Sequence, residues 1–197
     1  MSACKSEAGR MKRIGVLALQ GAVREHVQML ENLGCEALEV KQKRDLIKLD
    51  GLVLPGGEST TMRKLLDRFE LLEPIRELAQ RGLPMFGTCA GLILMANTLV
   101  NDEPHLAVMD VTVARNSFGR QVDSFEVKLD IPKIGKSIPA VFIRAPHMET
   151  VGKDVEILAE HEGKIILARD RHLLGCSFHP ELTSDTRILE FFIASMV

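Results

Sequence analysis

Short apolar segments alternate with amphipathic segments through the first half of the chain. Residues 13–19 form an apolar run of strand length, and apolar residues then recur at helical spacing from Val23 to Leu33, just before Gly34. A continuous apolar run is typical of a buried parallel strand, and the helical spacing predicts a helix that covers it. The same pattern predicts strands at 35–40, 51–54 and 83–86 and helices at 61–69 and 74–81. This alternation indicates a parallel sheet with right-handed crossovers.

The second half of the chain has a different pattern. From about Leu106 to Leu174 the segments are short and alternate between apolar and polar residues, with a turn at Glu162-Gly163. This pattern predicts antiparallel strands and hairpins attached to the parallel sheet. A final helix is predicted over 184–196, and its inward face consists of Ile188, Leu189, Phe192 and Ile193.

Composition narrows the class of protein. The 25 basic and 27 acidic residues give a net charge of −2, and Trp and Tyr are absent, so nucleic-acid binding is disfavoured. No apolar stretch reaches the length of about 18 residues that a membrane span requires. The four cysteines contain no Cys-x-x-Cys pair that would indicate a metal or redox site. We therefore expect a cytoplasmic protein with no membrane association and no metal.

A Gly-x-Cys-x-Gly motif at 87–91 is the first candidate for chemistry. Cys89 lies between a predicted strand and a predicted helix, and Gly87 and Gly91 flank it. This is the pattern of a nucleophile elbow, in which a tight turn exposes the nucleophile and needs small neighbours. A helix N-terminus also favours the thiolate. The alternative is that Cys89 is a buried small hydrophobic residue.

A histidine and a carboxylate two residues apart follow the apolar run 173–178. His179 and Glu181 face the same way if the chain is extended, and they supply the base and its orienting group that a thiol nucleophile needs. The alternatives are a strand-end histidine and an acidic residue before the last helix, with Thr183 or Ser184 as its N-cap. His147 is a second possible base. We predict a triad of Cys89, His179 and Glu181.

Adjacent glycines mark a third motif. Gly56 and Gly57 end the predicted strand 51–54, and such a turn can direct backbone N–H groups toward an oxyanion or a carboxylate. Phosphate binding is the competing use, but the Gly-Lys-Ser/Thr end of a P-loop is missing.

Together these motifs resemble the class I, triad-type glutamine amidotransferases. Four further segments resemble the glutaminase subunits of pyridoxal 5′-phosphate synthases, and they are 19–26, 56–61, 114–121 and 142–146. The resemblance covers residues 11–197. It implies a three-layer, flavodoxin-like α/β fold with a central, mostly parallel sheet and added antiparallel strands. Members usually begin where Met11 lies, so we expect residues 1–10 to be a disordered extension and residues 11–197 to form one domain.

The resemblance also implies the reaction and the residue roles. The chain would hydrolyse L-glutamine through Cys89, His179 and Glu181 and pass ammonia to a synthase subunit in a hetero-oligomeric complex, without a cofactor. Oxyanion donors would be the amides of Gly57 and Ala90. Glutamine would be held by Gly57, Glu58, Ser59, Arg115, Ile143 and Arg144, although surface ion pairing is the alternative for the two arginines.

Partner docking is expected at Gln20 and Gly21, where a peptide flip would complete the oxyanion hole. On this view Gly21→Val leaves Cys89 in place and blunts activation. Two rival hypotheses remain open: another glutaminase or a γ-glutamyl hydrolase on the same fold, and a non-enzymatic scaffold for the synthase.

Overall fold

The computed structural model describes residues 4–5, 9–116 and 124–196. These residues form twelve strands and five α-helices. The strands are β1 Arg13–Leu17, β2 Glu36–Val40, β3 Gly51–Leu54, β4 Met85–Thr88, β5 Ala96–Leu99, β6 Met109–Ala114, β7 Ser124–Ile131, β8 Gly135–Ile143, β9 His147–Val151, β10 Glu156–His161, β11 Lys164–Asp170 and β12 Leu173–Cys176. The helices are α1 Val23–Asn32, α2 Ser59–Arg68, α3 Leu72–Gln80, α4 Ala90–Met95 and α5 Arg187–Ala194.

One ten-stranded sheet organises the described residues. Its order is β2-β1-β3-β4-β12-β11-β9-β6-β5, with β10 paired to β11 and with β7 and β8 forming a separate hairpin. The five strands from β2 to β12 are parallel to their neighbours, whereas β11 runs antiparallel to β12, β10 and β9. The predicted α/β fold with a parallel centre and added antiparallel strands is therefore confirmed.

Two apolar clusters cover the two faces of the sheet. Leu52 and Leu54 belong to a cluster with the buried residues of α2, α3 and α4, whereas Val53 between them belongs to a cluster with those of α1 and α5. Successive side chains of a strand point to opposite faces, so this division places helices on both sides of the sheet. The inward face predicted for the last helix is confirmed, because Ile188, Leu189, Phe192 and Ile193 are buried.

Four neighbouring parallel strands end on the same side of the molecule. Gln20 and Gly21 follow β1, Gly56 and Gly57 follow β3, Cys89 follows β4 and His179 follows β12. The carboxyl ends of parallel strands form the usual binding crevice of an open α/β sheet. The topology therefore brings together segments that are far apart in the sequence.

Two predictions for the second half are wrong in detail. β6 pairs in parallel with β5, although the alternating pattern of residues 106–174 predicted antiparallel strands. The last helix begins at Arg187, and neither Thr183 nor Ser184 is its N-cap. A 3₁₀ turn at 180–182 takes up the preceding chain, and Asp185 Oδ1 accepts a hydrogen bond from the Arg187 N–H.

Four residues of the segment 1–10 are described, and three of them contact the rest of the chain. Cys4 is buried and forms a disulfide with Cys35, a bond that the sequence analysis did not anticipate. Lys5 pairs with Met11 in an antiparallel bridge, and the Arg10 guanidinium forms an ion pair with Asp50 at 2.7 Å. The division into residues 1–10 and 11–197 stays a prediction.

Candidate active site

Cys89 lies in a strained turn between β4 and α4. Its backbone has φ 49° and ψ −103°, a left-handed conformation that side chains rarely adopt. Its N–H donates to the Cys176 carbonyl at 2.8 Å, which holds the turn against β12. A Cβ on Gly91 would lie 1.9 Å from the Leu54 carbonyl oxygen, and one on Gly87 would lie 2.6 Å from the Gly91 carbonyl carbon. Both flanking positions therefore require glycine, as the elbow motif predicts.

His179 and Glu181 form a buried pair beside this turn. His179 Nδ1 and Glu181 Oε1 are 2.7 Å apart, and both side chains are less than a tenth exposed. The reason given from the sequence is wrong, because the chain is not extended here. Glu181 lies in the 3₁₀ turn at 180–182, and that turn bends the carboxylate back to the imidazole.

Burial and the neighbouring groups shift the pKa of each member of this pair in opposite directions. Burial lowers the pKa of His179, but hydrogen bonds to Cys89 and Glu181 outweigh it and raise the pKa to about 10. Burial also raises the pKa of Glu181, but the hydrogen bond from His179 and the charges of His26 and His179 together outweigh burial and lower the pKa below its usual value. The arrangement therefore favours an imidazolium held between a carboxylate and the thiol of Cys89.

Gln20 and Gly21 contact the Gly-Gly turn directly. Gln20 Oε1 accepts a hydrogen bond from the Glu58 N–H at 2.7 Å, and the Ala22 N–H donates to the Gly56 carbonyl at 2.9 Å. Gly21 has φ +96°, and a Cβ there would lie 1.9 Å from the Gly56 oxygen. A valine at position 21 would therefore displace the turn at 56–57, so the expectation that Gly21→Val leaves the isolated fold in place is wrong.

Glu58 and Ser59 follow the Gly-Gly turn and lie at the start of helix α2. Glu58 is the N-cap, and its carboxylate accepts hydrogen bonds from the Thr61 N–H at 3.1 Å and from the Thr61 hydroxyl at 2.7 Å. Those hydrogen bonds lower the pKa of Glu58. Ser59 is the first helical residue and is buried. Glu58 therefore has a structural role in capping α2 in addition to any contact with a ligand.

Arg115 is held at the opposite wall by two neighbours. One terminal nitrogen of its guanidinium lies 2.7 Å from Asp102 Oδ2 and 3.3 Å from His105 Nε2. Burial and the charge of Arg115 lower the pKa of His105, so the ring stays neutral and accepts from the guanidinium. The ion pairing considered from the sequence is present for Arg115, whereas Arg144 is exposed with φ 42°.

Most of the predicted site residues, with the exception of Glu181 and Ala90, line one pocket of about 580 Å³. Its lining includes Gln20, Gly21, Gly57, Glu58, Ser59, Cys89, Arg115, Ile143, Arg144 and His179. Glu181 lies behind His179. Ala90 follows Cys89 as the first residue of α4, so its N–H has no acceptor within that helix. His147 lies on β9 opposite Ala114 and is not part of the lining.

Part of one predicted motif is outside the described residues. Ser117 to Gln121 belong to the segment 114–121, of which the structure describes only 114–116. Among the described residues, no group of three or more His, Cys, Asp and Glu side chains is placed to hold a metal ion. In the same part of the chain, no helix is long and apolar enough to cross a membrane.

Sequence reasoning missed His26. This residue falls on the apolar stripe of α1, between Val23 and Leu30, and is fully buried. Its Nε2 lies 3.1 Å from the Thr88 hydroxyl and 3.7 Å from Glu181 Oε2. A histidine on the inward face of a helix was the signal that could have found it.

Comparisons with known proteins agree with the fold. The model of the SNO glutamine amidotransferase family matches residues 16–197. The pyridoxal 5'-phosphate synthase subunit PdxT of Geobacillus sp. (strain WCH70) is 57% identical over 93% of this chain and 96% of its own. The PdxT subunit of Geobacillus thermodenitrificans (strain NG80-2) is 58% identical over 92% of this chain and 93% of its own. A crystal structure of a glutamine amidotransferase superposes with a TM-score of 0.89 at 44% identity, covering 93% of this chain and 98% of its own.

Proposed function

The chain belongs to the SNO glutamine amidotransferase family, and we propose that it is the glutaminase subunit of a pyridoxal 5′-phosphate synthase. It hydrolyses L-glutamine to L-glutamate and ammonia, and it supplies the ammonia to the synthase subunit. The observation that carries the reaction is that Cys89, in a strained turn, and His179 line one pocket, while buried Glu181 contacts His179 at 2.7 Å. The names of the Geobacillus relatives support the pathway.

Acyl transfer through Cys89 accounts for this arrangement. The thiolate attacks the carboxamide carbon, the C–N bond breaks, and the His179 imidazolium gives its proton to the departing ammonia. His179 then takes a proton from water, which attacks the thioester carbon and releases glutamate and the thiolate. Glu181 keeps the imidazole in the orientation that both steps need.

Backbone amides stabilise the negative oxygen that forms during each step. The Ala90 N–H points from the N-terminus of α4, and the Gly57 N–H belongs to the turn that Gln20 contacts through Glu58. One such donor contributes about 10²- to 10³-fold in rate. Because Gln20 and Gly21 touch this turn, docking of the synthase on them controls whether the Gly57 amide faces the substrate.

The test of this function is glutaminase activity with and without the synthase subunit of the same organism. We expect slow hydrolysis by the isolated chain and faster hydrolysis in the complex, together with synthesis of pyridoxal 5′-phosphate from glutamine. If the isolated chain hydrolyses glutamine as fast as the complex does, the gating by Gln20 and Gly21 is wrong. If the complex shows no glutaminase activity, the proposed function is wrong.

The rival hypotheses give different results in the same assay. Another amidotransferase subunit would hydrolyse glutamine without activation by this synthase, and a γ-glutamyl hydrolase would prefer γ-glutamyl peptides. A scaffold would leave glutamine intact and still increase synthesis from ammonium salt. A cytoplasmic location stays a prediction.

Replacing Arg115 by alanine is expected to weaken glutamine binding more than catalysis. A guanidinium in the pocket suits the α-carboxylate of glutamine, and loss of a charge-assisted hydrogen bond corresponds to about 10- to 150-fold in KM. Steady-state kinetics of the complex measure this effect. Arg81→Ala is the control, since that guanidinium pairs with Glu77 on α3 outside the pocket. An unchanged KM in the Arg115 variant would leave Arg115 as an ion-pairing residue only.

Glu181→Gln is expected to move the alkaline limit of activity to lower pH. His179 must be protonated to release ammonia, so wild-type activity falls as the pH rises through its pKa of about 10. Loss of the Glu181 carboxylate removes a cause of that raised pKa, and the fall then begins at lower pH. The pH dependence of kcat/KM in the complex measures the shift, with Glu77→Gln as the control. An unchanged alkaline limb would contradict the pairing of His179 with Glu181.

A further inference from the structure

Glu181 has a second carboxylate oxygen that the reaction above does not use. Its Oε1 contacts His179, whereas Oε2 has no hydrogen-bond partner among the described residues and is fully buried. A buried carboxylate oxygen without a partner is costly, so its surroundings call for an explanation. The group that faces it is His26 Nε2, at 3.7 Å, and His26 is itself fully buried.

The geometry of His26 defines which nitrogen carries the proton. Nε2 lies 3.1 Å from Thr88 Oγ1, whereas Nδ1 has no hydrogen-bond partner among the described residues. If the proton is on Nε2, it points at the Thr88 hydroxyl and the Glu181 carboxylate, and only the acceptor Nδ1 is unpaired. If the proton is on Nδ1, a buried N–H donor is unpaired. Burial lowers the pKa of His26 more than Glu181 raises it, and His179 and Glu25 are the other charged neighbours.

On the basis of the proposed function, we infer that His26 is a positioning residue for glutamine hydrolysis. Its neutral Nε2–H donates to the hydroxyl of Thr88, the residue before the nucleophile, and faces Glu181 Oε2 at 3.7 Å on the carboxylate oxygen that His179 does not contact. A neutral donor fixes the carboxylate without competing with the imidazolium for its charge. Phe86 packs edge-on against the His26 ring at 6.3 Å between centroids and limits its rotation.

The position of His26 also connects the triad to the predicted docking region. Helix α1 begins two residues after Gly21 and packs against the 3₁₀ turn that carries Glu181. A displacement of α1 is therefore transmitted both to the turn at 56–57 and to the triad carboxylate.

The test compares His26→Gln with His26→Leu in the complex with the synthase subunit. Glutamine keeps an N–H donor near the place of Nε2, and leucine fills similar space without one. We expect the leucine variant to lose about 5- to 150-fold in kcat, the range for a buried carboxylate oxygen left with no polar group facing it, with KM unchanged. The glutamine variant recovers most of the activity, and the alkaline limb of the leucine variant moves to lower pH.

A double variant separates positioning from packing. If His26 acts through Glu181, His26→Leu has little further effect on kcat in a Glu181→Gln background. Leu30→Ala is the control for helix α1, because Leu30 is buried on the same helix in the apolar cluster, and its loss lowers thermal stability without changing kcat.

Two results would overturn the inference. In one, His26→Leu has the kcat and pH profile of the wild type; in the other, both variants at position 26 are equally slow with an unchanged pH profile. A wild-type complex without glutaminase activity would instead overturn the proposed function, and this inference with it.

Discussion

Replacing Cys89 by alanine is expected to abolish glutamine hydrolysis by the complex, with a loss on the order of 10⁶-fold in kcat, as for removal of an activated nucleophile. The fold is expected to survive, because the side chain is small and alanine is no more strained than cysteine at φ 49°. The same complex is expected to synthesise pyridoxal 5′-phosphate from added ammonium salt, because that route does not need the thiol.

Cys176→Ala is the matched control for this variant. Burial raises the pKa of the Cys176 thiol well above its usual value, and its Sγ donates to the Phe178 carbonyl at 3.3 Å. We therefore expect full glutaminase activity after this substitution. A glutamine-mimicking alkylating agent should label wild-type Cys89 and leave Cys176 unmodified. Normal glutamine-dependent synthesis by the Cys89→Ala complex would disprove the nucleophile and favour the scaffold hypothesis.

Replacing His179 by asparagine is the second substitution with a large expected effect. It removes the only group in the proposed mechanism that gives a proton to ammonia and takes one from water, and such acid–base catalysis contributes about 10²- to 10⁴-fold. Glu181→Gln should cost less, because it loosens the orientation of His179 without removing the proton carrier. Turnover of the complex and the accumulation of the thioester measure the two effects.

His147→Asn provides the comparison, because His147 was the other candidate base and lies outside the pocket lining. Burial lowers the pKa of His147, so it is neutral at physiological pH. We expect this variant to retain activity. If His147→Asn is inactive and His179→Asn is not, the assignment of the base is wrong.

Much of the parallel half of the fold follows from the sequence, because strands such as β1 and β3 are mostly apolar and because α1 and α3 end just before glycines. The periodicity around Gly34 and Gly82 marked the ends of α1 and α3, and both glycines have positive φ. Pairing in the second half did not follow, since alternation shows which face of a strand is buried but not which neighbour it pairs with. β6, for example, alternates between buried and more exposed residues and pairs in parallel with β5 and antiparallel with β9.

The sequence predicted those parts of the candidate site in which the backbone leaves no room for a side chain. Gly87 and Gly91 have no room for a side chain, and that constraint is visible in the motif itself. The contacts of Glu181 were not visible in the same way, because they depend on a 3₁₀ turn and on a histidine from α1. The contacts of Arg115 with Asp102 and His105 likewise depend on the conformation of the loop between β5 and β6.

The parallel pairing of β4 with β12 has a consequence for biosynthesis. Cys176 lies in register with Thr88, so the nucleophile meets its base only after the last strand enters the sheet. At a translation rate of about 5–20 residues per second, a nascent chain carries the thiol for several seconds before the histidine exists. Such long-range pairing also forms slowly during refolding. Chains that end before His179 therefore have no base beside Cys89, and we expect them to release no ammonia.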